Sequence, residues 1–360
     1  MPTLVCTGCS SSLGLLALSS FVSRIIASPP SSHWRILAGY RSTSLTAGQE
    51  ELAKRCREHP DKLSLSWMTL DLLKLSSVEA FTRRVKDVLN EDEGVDVLFI
   101  NAAVYNMSAR TVDLAGTAWT QEAVVNHLSQ HYLIQLLAPL LTRSAANGLP
   151  RSRIAFTSSQ LHTSIKSLAA DGLAPCLKPS PSDHSSGKSR YAASKVAQLI
   201  SARYWQRHFA AVGVGARPVD VVTVSPGFVP TTGLTRDVPL LGRLLMRYIL
   251  ALMPFAVSES EGAARLARTI PSSPSDSDDA LSSLLAELSA ANDLPLMFLA
   301  GPSTAPVPTA DEVRSGAKGA VKGGVAEDLL ARSEDDEMWK QVDWLLPSEA
   351  TLRSWAGSSE

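Results

Sequence analysis

At 360 residues the chain is long for one domain, but a single α/β unit with insertions reaches this length. Its 45% hydrophobic and 19% charged residues describe a globular chain with a large core, and a net charge of −1 gives no footprint for nucleic acid. The four cysteines, Cys6, Cys9, Cys56 and Cys176, have no framework spacing, and no apolar run reaches the roughly 18 residues that a membrane span needs.

In chain order, Leu4–Cys6 reads as a buried strand that begins without a basic leader, so a cytoplasmic protein is expected. Thr7-Gly8-Cys9-Ser10-Ser11-Ser12-Leu13-Gly14 is a turn of small residues, and Leu15–Ile26 continues with helical apolar spacing. Strand, small-residue turn and helix in that order aim backbone N–H groups at a site where a pyrophosphate can bind. Ser12 is small enough for that approach but resists a positive φ. The Cys6-x-x-Cys9 pair lacks a second ligand pair, and packing is its expected role.

Trp34–Gly39 is a second strand ending at Tyr40-Arg41. An acidic residue there would accept the 2′-hydroxyl of NAD, whereas Arg41 suits the 2′-phosphate of NADP. Helix Gln49–Glu58, strand Leu63–Leu70 running into Asp71, helix Ser77–Leu89 and strand Val95–Ile100 running into Asn101-Ala102-Ala103 follow. This alternation predicts a Rossmann-type, doubly wound α/β fold with a parallel sheet of about seven strands. Gly8, Arg41, Asp71 and Asn101 then fall at the carboxyl ends of strands, where such folds bind ligands.

Gln121–Leu141 reads as one long helix containing Asn126, His127 and His131. The histidines lack a third ligand, so no metal is expected. Asn126, an amide on an apolar helix, needs a partner or a function. Strand Arg153–Thr157 ends at Ser158-Ser159, whose hydroxyls either reach a substrate carbonyl or cap a turn. Residues 162–188 read as an irregular lid. A helix then carries Tyr191 and Lys195, four residues apart and on one face. An ammonium there would draw the phenol pKa down from about 10, yielding a general acid/base. A sixth strand, Asp220–Val224, leads into Ser225-Pro226-Gly227-Phe228-Val229-Pro230-Thr231.

The ordered series Thr-Gly-x-x-x-x-Leu-Gly, Asn-Ala-Ala, helix Asn, Ser-Ser, Tyr-x-x-x-Lys and Pro-Gly-x-Val-x-Thr resembles the short-chain dehydrogenase/reductase family over about residues 3–270. Two departures are Ser12 for a middle glycine and Asn101-Ala102-Ala103 for Asn-Asn-Ala-Gly. The resemblance implies an NADP-dependent oxidoreductase interconverting a ketone or aldehyde and an alcohol. Tyr191 would exchange the proton, Lys195 would lower its pKa and hold the nicotinamide ribose, and Ser159 would bond the carbonyl oxygen. Asn126 would hold a water relaying protons to Lys195. Gly8, Ser10, Ser11, Ser12, Leu13 and Gly14 would cradle the pyrophosphate. Asp71 would contact adenine, with Asn101, Ala102 and Ala103 alongside, while Pro226, Gly227, Val229 and Thr231 would face the nicotinamide.

Tyr40-Arg41, Asn101–Tyr105 and Pro226–Leu234 are similar to the branch of retinol dehydrogenases and protochlorophyllide reductases, and the 159–191 insertion resembles 3-keto sterol reductases. A hydrophobic small-molecule substrate is implied. The alternatives are a 3-keto sterol reductase and a non-catalytic NADP-binding sensor or scaffold.

The expected organisation is a catalytic domain over 1–270 and a C-terminal extension over 271–360. Residues 240–255 would be a substrate flap or a peripheral membrane contact. Pro271–Asp279 and Ser303–Gly324 read as mobile low-complexity segments. Leu294–Ala300 would be a seventh strand, and Glu334–Leu346 a closing helix docked by Trp339 and Trp344. A homodimer would form through the helices at 121–141 and 191–209.

Overall fold

The computed structural model describes residues 1–28, 33–143, 148–168, 172–180, 185–212, 216–230, 256–271, 280–290, 296–331 and 336–357. Seven strands, β1 (Thr3–Thr7), β2 (Trp34–Tyr40), β3 (Leu63–Thr69), β4 (Val97–Ile100), β7 (Ser152–Thr157), β8 (Val219–Val224) and β9 (Met297–Leu299), form one parallel sheet. Its order is β3-β2-β1-β4-β7-β8-β9. β1 pairs with β2 on one side and β4 on the other, so the winding reverses at β1. A crevice opens there, beyond the strands' carboxyl ends.

The sheet is covered on both faces, as all-parallel sheets require. One core joins Leu18, Phe21 and Val22 of α1 (Ser12–Ala27) to Leu4, Cys6 and Ile36, with α2 (Ala47–Arg57) alongside. The other joins Phe81 of α3 (Leu75–Val88) to Val5, Leu98 and the helices on the opposite face of the sheet. A hairpin absent from the sequence reading, β5 (Thr111–Leu114) with β6 (Thr117–Thr120), leads into the long helical segment. That segment is not one regular helix. α4 (Gln121–Ala123) passes through a π-turn, Val124–Leu128, into α5 (Ser129–Leu141).

Several expectations for the irregular regions are corrected. The stretch read as a lid contains a 3₁₀ turn, Gln160–Ser164, and α6 (Leu173–Leu177), whose Leu173 and Leu177 are fully buried. α7 (Gly187–Ala210) follows. Past β8 come α8 (Glu259–Ala267) and α9 (Ala280–Ala290). The supposedly mobile 303–324 stretch carries α10 (Ala310–Arg314), held by a Thr309/Glu312 capping box, and it buries Val313 and Val321. Composition misled here because two buried valines and one cap outweigh the surrounding small residues. Residues 231–255 and 272–279, the flap and the first low-complexity segment among them, lie outside the described residues.

The C-terminal part comprises α11 (Gly324–Ala331), α12 (Asp336–Val342), a 3₁₀ turn at Asp343–Leu345 and α13 (Glu349–Gly357). It packs into the same core as α5 and α7, through Met338, Val342, Leu345 and Leu352. His127 Nε2 meets Leu345 O at 2.6 Å, and Gln135 Nε2 donates to Pro347 O at 2.9 Å. Trp339 meets Tyr204, and Lys178 Nζ sits 4.3 Å over Trp119 and 4.6 Å over Trp344. Both tryptophans therefore dock, as expected. Residues 190–202 of α7 and 122–134 through α5 are buried without a break. The faces expected to pair with a second copy are covered by the chain itself.

Candidate active site

The turn after β1 needs glycine at two positions. Gly8 has φ +67°, and a Cβ there would lie 2.4 Å from Ala102 Cα. A Cβ on Gly14 would lie 2.1 Å from Gly8 O and 2.4 Å from Asn101 Nδ2. Ser12, where the sequence reading expected resistance, does adopt φ +49°. A left-handed non-glycine residue costs roughly 1–2 kcal/mol. The turn retains its shape with a serine, at the expense of local strain.

α1 starts without a side-chain cap and without an acidic residue in its first turn. An uncapped N-terminus with tight glycine packing behind it fits a pyrophosphate. Thr7 Oγ1 accepts from the N–H groups of Asn101 and Ala102, both at 3.2 Å. Asn101 Nδ2 donates to Gly8 O at 2.9 Å, and its Oδ1 accepts from Thr157 Oγ1 at 3.0 Å. These bonds lock the ends of β1, β4 and β7 together. Neither threonine was singled out from sequence, because their role depends on which strands become neighbours.

Arg41 is exposed just past β2, and no carboxylate among the described residues pairs with it. Asp71 is half-buried past β3, with Oδ1 accepting from Leu73 N at 3.1 Å. Past β8, Gly227 has φ +85°, and a Cβ there would press on Val257 and Arg265. Val229 is buried, and Gly262 of α8 lets that helix approach both Val229 and Leu13. Ser10 and Ser11 are half-buried in the first turn, as are Ala103 and Pro226 in theirs. Thr231 lies outside the described residues.

The chemistry-bearing side chains converge where β7 meets α7. Tyr191 is 6% exposed, with Ser159 close enough to favour its ionised form. Tyr105 stands edge-on to it, ring centroids 5.7 Å apart. Lys195 Nζ lies 5.6 Å from the Tyr191 ring centroid and donates to Thr157 O at 2.6 Å. Burial pulls the Lys195 ammonium down to about 7. Burial also pushes the Tyr191 phenol upward, and Ser159 only partly opposes it. The lowering expected from Lys195 is not among the causes acting on the phenol, and burial favours its protonated form.

Asn126 is fully buried, and its side chain is engaged with protein. Oδ1 accepts from Val104 N at 2.7 Å, while Nδ2 donates to Val104 O and to Ser194 Oγ. It thereby holds the strand end that presents Tyr105. A buried ion pair at 3.6 Å joins Glu122 to Arg190, the residue before Tyr191. Arg190 also donates to Asn106 O and Met107 O, tying α7 to the same loop. Among the described residues no histidine, cysteine or carboxylate cluster fits a metal. Trp205 Nε1 donates to His131 Nδ1 at 3.1 Å, and burial lowers both His127 and His131. All four cysteines are buried free thiols, and burial pushes Cys9 up.

No family model matches the chain. It is 34% identical over 235 residues to a short-chain dehydrogenase/reductase of Pestalotiopsis microspora, covering 65% of this chain and 72% of that protein. The chain belongs to the short-chain dehydrogenase/reductase family. It is also 28% identical over 286 residues to chloroplastic protochlorophyllide reductase B of Oryza sativa subsp. japonica. That match covers 74% of this chain and 65% of the rice protein, so the chain spans just under two thirds of this relative. The branch suggested by the motifs is thus represented among the relatives. Among solved structures, the chain is similar to an alcohol dehydrogenase of Thermococcus sibiricus complexed with 5-hydroxy-NADP, at 17% identity and a TM-score of 0.47. That likeness covers 86% of this chain and 99% of the other.

As a member of this family the chain is an oxidoreductase. Among the described residues, no helix is long and apolar enough to cross a membrane.

Proposed function

We propose that this chain is an NADPH-dependent reductase of a ketone or aldehyde on a hydrophobic small molecule. The observation that carries the reading is a buried Tyr191 whose ring centroid lies 5.6 Å from Lys195 Nζ, with Ser159 beside it past β7. Arg41 favours NADP over NAD, since a guanidinium past β2 with which no carboxylate among the described residues pairs suits a 2′-phosphate.

When bound, NADPH supplies the hydride. Gly8, Gly14 and the α1 N-terminus would hold its pyrophosphate, and Lys195 its nicotinamide ribose. Ser159 donates a hydrogen bond to the substrate oxygen, where negative charge develops. Tyr191 then gives its proton to that oxygen. Tyr105 and the α7 helix exclude water from the phenol.

Six large apolar side chains are exposed among the described residues, and three of them, Met107, Leu161 and Phe228, sit within two residues of Tyr105, Ser159 and Gly227. Apolar side chains at the rim of a polar site support an apolar substrate body. NADPH oxidation over a panel of carbonyl compounds tests the reading. Tyr191→Phe is expected to lower turnover by about 10²–10⁴-fold while NADPH still binds. Unchanged turnover in Tyr191→Phe overturns it.

A further inference from the structure

Lys195 is fully buried, and its ammonium has two protein acceptors, Thr157 O and, at 3.1 Å, Gln198 Oε1. Gln198 lies one turn further along α7 and is 1% exposed. Its other end, Nε2, donates to the backbone carbonyl of Asn126 at 3.4 Å. That carbonyl belongs to the π-turn, where Ser129 N–H reaches back to Val124 O, and such turns redirect backbone groups out of the regular ladder. A carboxamide therefore bridges Lys195 and Asn126 O, the task that the family resemblance expected of a water. The two differ chemically. Water passes a proton by accepting one as it releases another. A neutral carboxamide keeps its donor and acceptor on different atoms and exchanges neither near neutral pH.

We propose that Gln198 is a positioning residue that replaces the bridging water, holding Lys195 in place and closing the proton path on the Asn126 side. The proposal rests on the reading of Tyr191 as the proton donor. In each reduction the phenol O–H bond breaks, the substrate O–H bond forms, and one solvent proton must return to the phenolate. With the Asn126 side closed by an amide, that proton enters from the substrate side, past the half-buried Ser159 hydroxyl. Tyr191 is the titratable neighbour of Lys195, and burial alone shifts the lysine, so no other charge competes with the hydrogen bond that Gln198 accepts.

The test compares the full-length chain with Gln198→Leu, which removes the amide but fills its space, and Gln198→Ala, which leaves room for water. Without substrate, ¹³Cε-lysine NMR follows the Lys195 titration, assigned with Lys195→Arg. Gln198→Leu is expected to lower its midpoint by about one unit, the size of a hydrogen bond lost by a charged group. With NADPH and a carbonyl that is turned over, Gln198→Leu is expected to lose about tenfold in kcat. Gln198→Ala should retain more activity and show a larger solvent deuterium isotope effect than the unaltered chain, because a water can now enter. An unshifted Lys195 midpoint in Gln198→Leu overturns the proposal. So does an equal loss in both variants with unchanged pH profile and isotope effect, which marks a packing role. If the unaltered chain reduces no carbonyl, the functional reading fails while the NMR titration still decides whether Gln198 holds Lys195.

Discussion

The buried pair between Glu122 and Arg190 offers a direct test of how the catalytic helix is held. The Glu122 side chain is 0% exposed and that of Arg190 2%, with Oε1 and Nε 3.6 Å apart. At an effective dielectric of about 20, opposite charges at that distance attract by roughly 5 kcal/mol. Much of this is offset by desolvation, so the pair itself contributes little net stability. Breaking it on one side is different. Glu122→Gln keeps the shape and the acceptor for Asn106 N–H, now 3.1 Å away, but leaves the guanidinium buried without a counter-charge. Losses of about 3–5 kcal/mol follow from uncompensated buried charges. Arg190 retains carbonyl acceptors at Asn106, Met107 and Ser185, which places the expected loss near 3 kcal/mol. Urea unfolding followed by tryptophan fluorescence measures it. The double variant Glu122→Gln/Arg190→Met should recover most of the loss, since it removes both charges. A Glu122→Gln change below about 1 kcal/mol, or a double variant less stable than the single, refutes the reasoning.

Arg41→Ala is expected to raise the KM for NADPH far more than that for NADH, and cofactor titrations with both check it. Burial lowers His127 from 6.5 to about 4, so the unfolded chain binds an extra proton between those values. Stability should therefore rise with pH across about 4–6.5, with His127→Gln flattening that slope in denaturant melts at several pH values. Deleting residues 336–360 uncovers the outer faces of α5 and α7, so the full chain should be monomeric by light scattering and the truncated one self-associated. Equal masses per particle for both would contradict that.

Much of the site was legible before any coordinates. The small-residue turn after β1, Arg41, Asn101 and Ser159 lie at ends of strands whose periodicity is strong, and Tyr191 and Lys195 lie in the first half of a helix. In a parallel sheet those ends must share one edge. A parallel sheet of about seven strands was anticipated and the described sheet has seven, though the β5-β6 hairpin was not foreseen, and Trp339 and Trp344 dock as expected. Other features were hidden. Thr7, Thr157, Gln198 and the Glu122–Arg190 pair are ordinary residues in sequence, and each acquires its role from a partner between 3 and 123 positions away. The ordered 303–324 stretch was hidden by its composition.

Sequence by itself determined the winding of the chain, the two glycines the turn cannot replace and the pairing of a phenol with an amine, because these follow from local periodicity, steric size and fixed spacing. Tertiary structure alone decided the protonation of that pair. Spacing predicted a lysine that lowers a tyrosine. Burial, which no spacing encodes, lowers the lysine and raises the tyrosine instead.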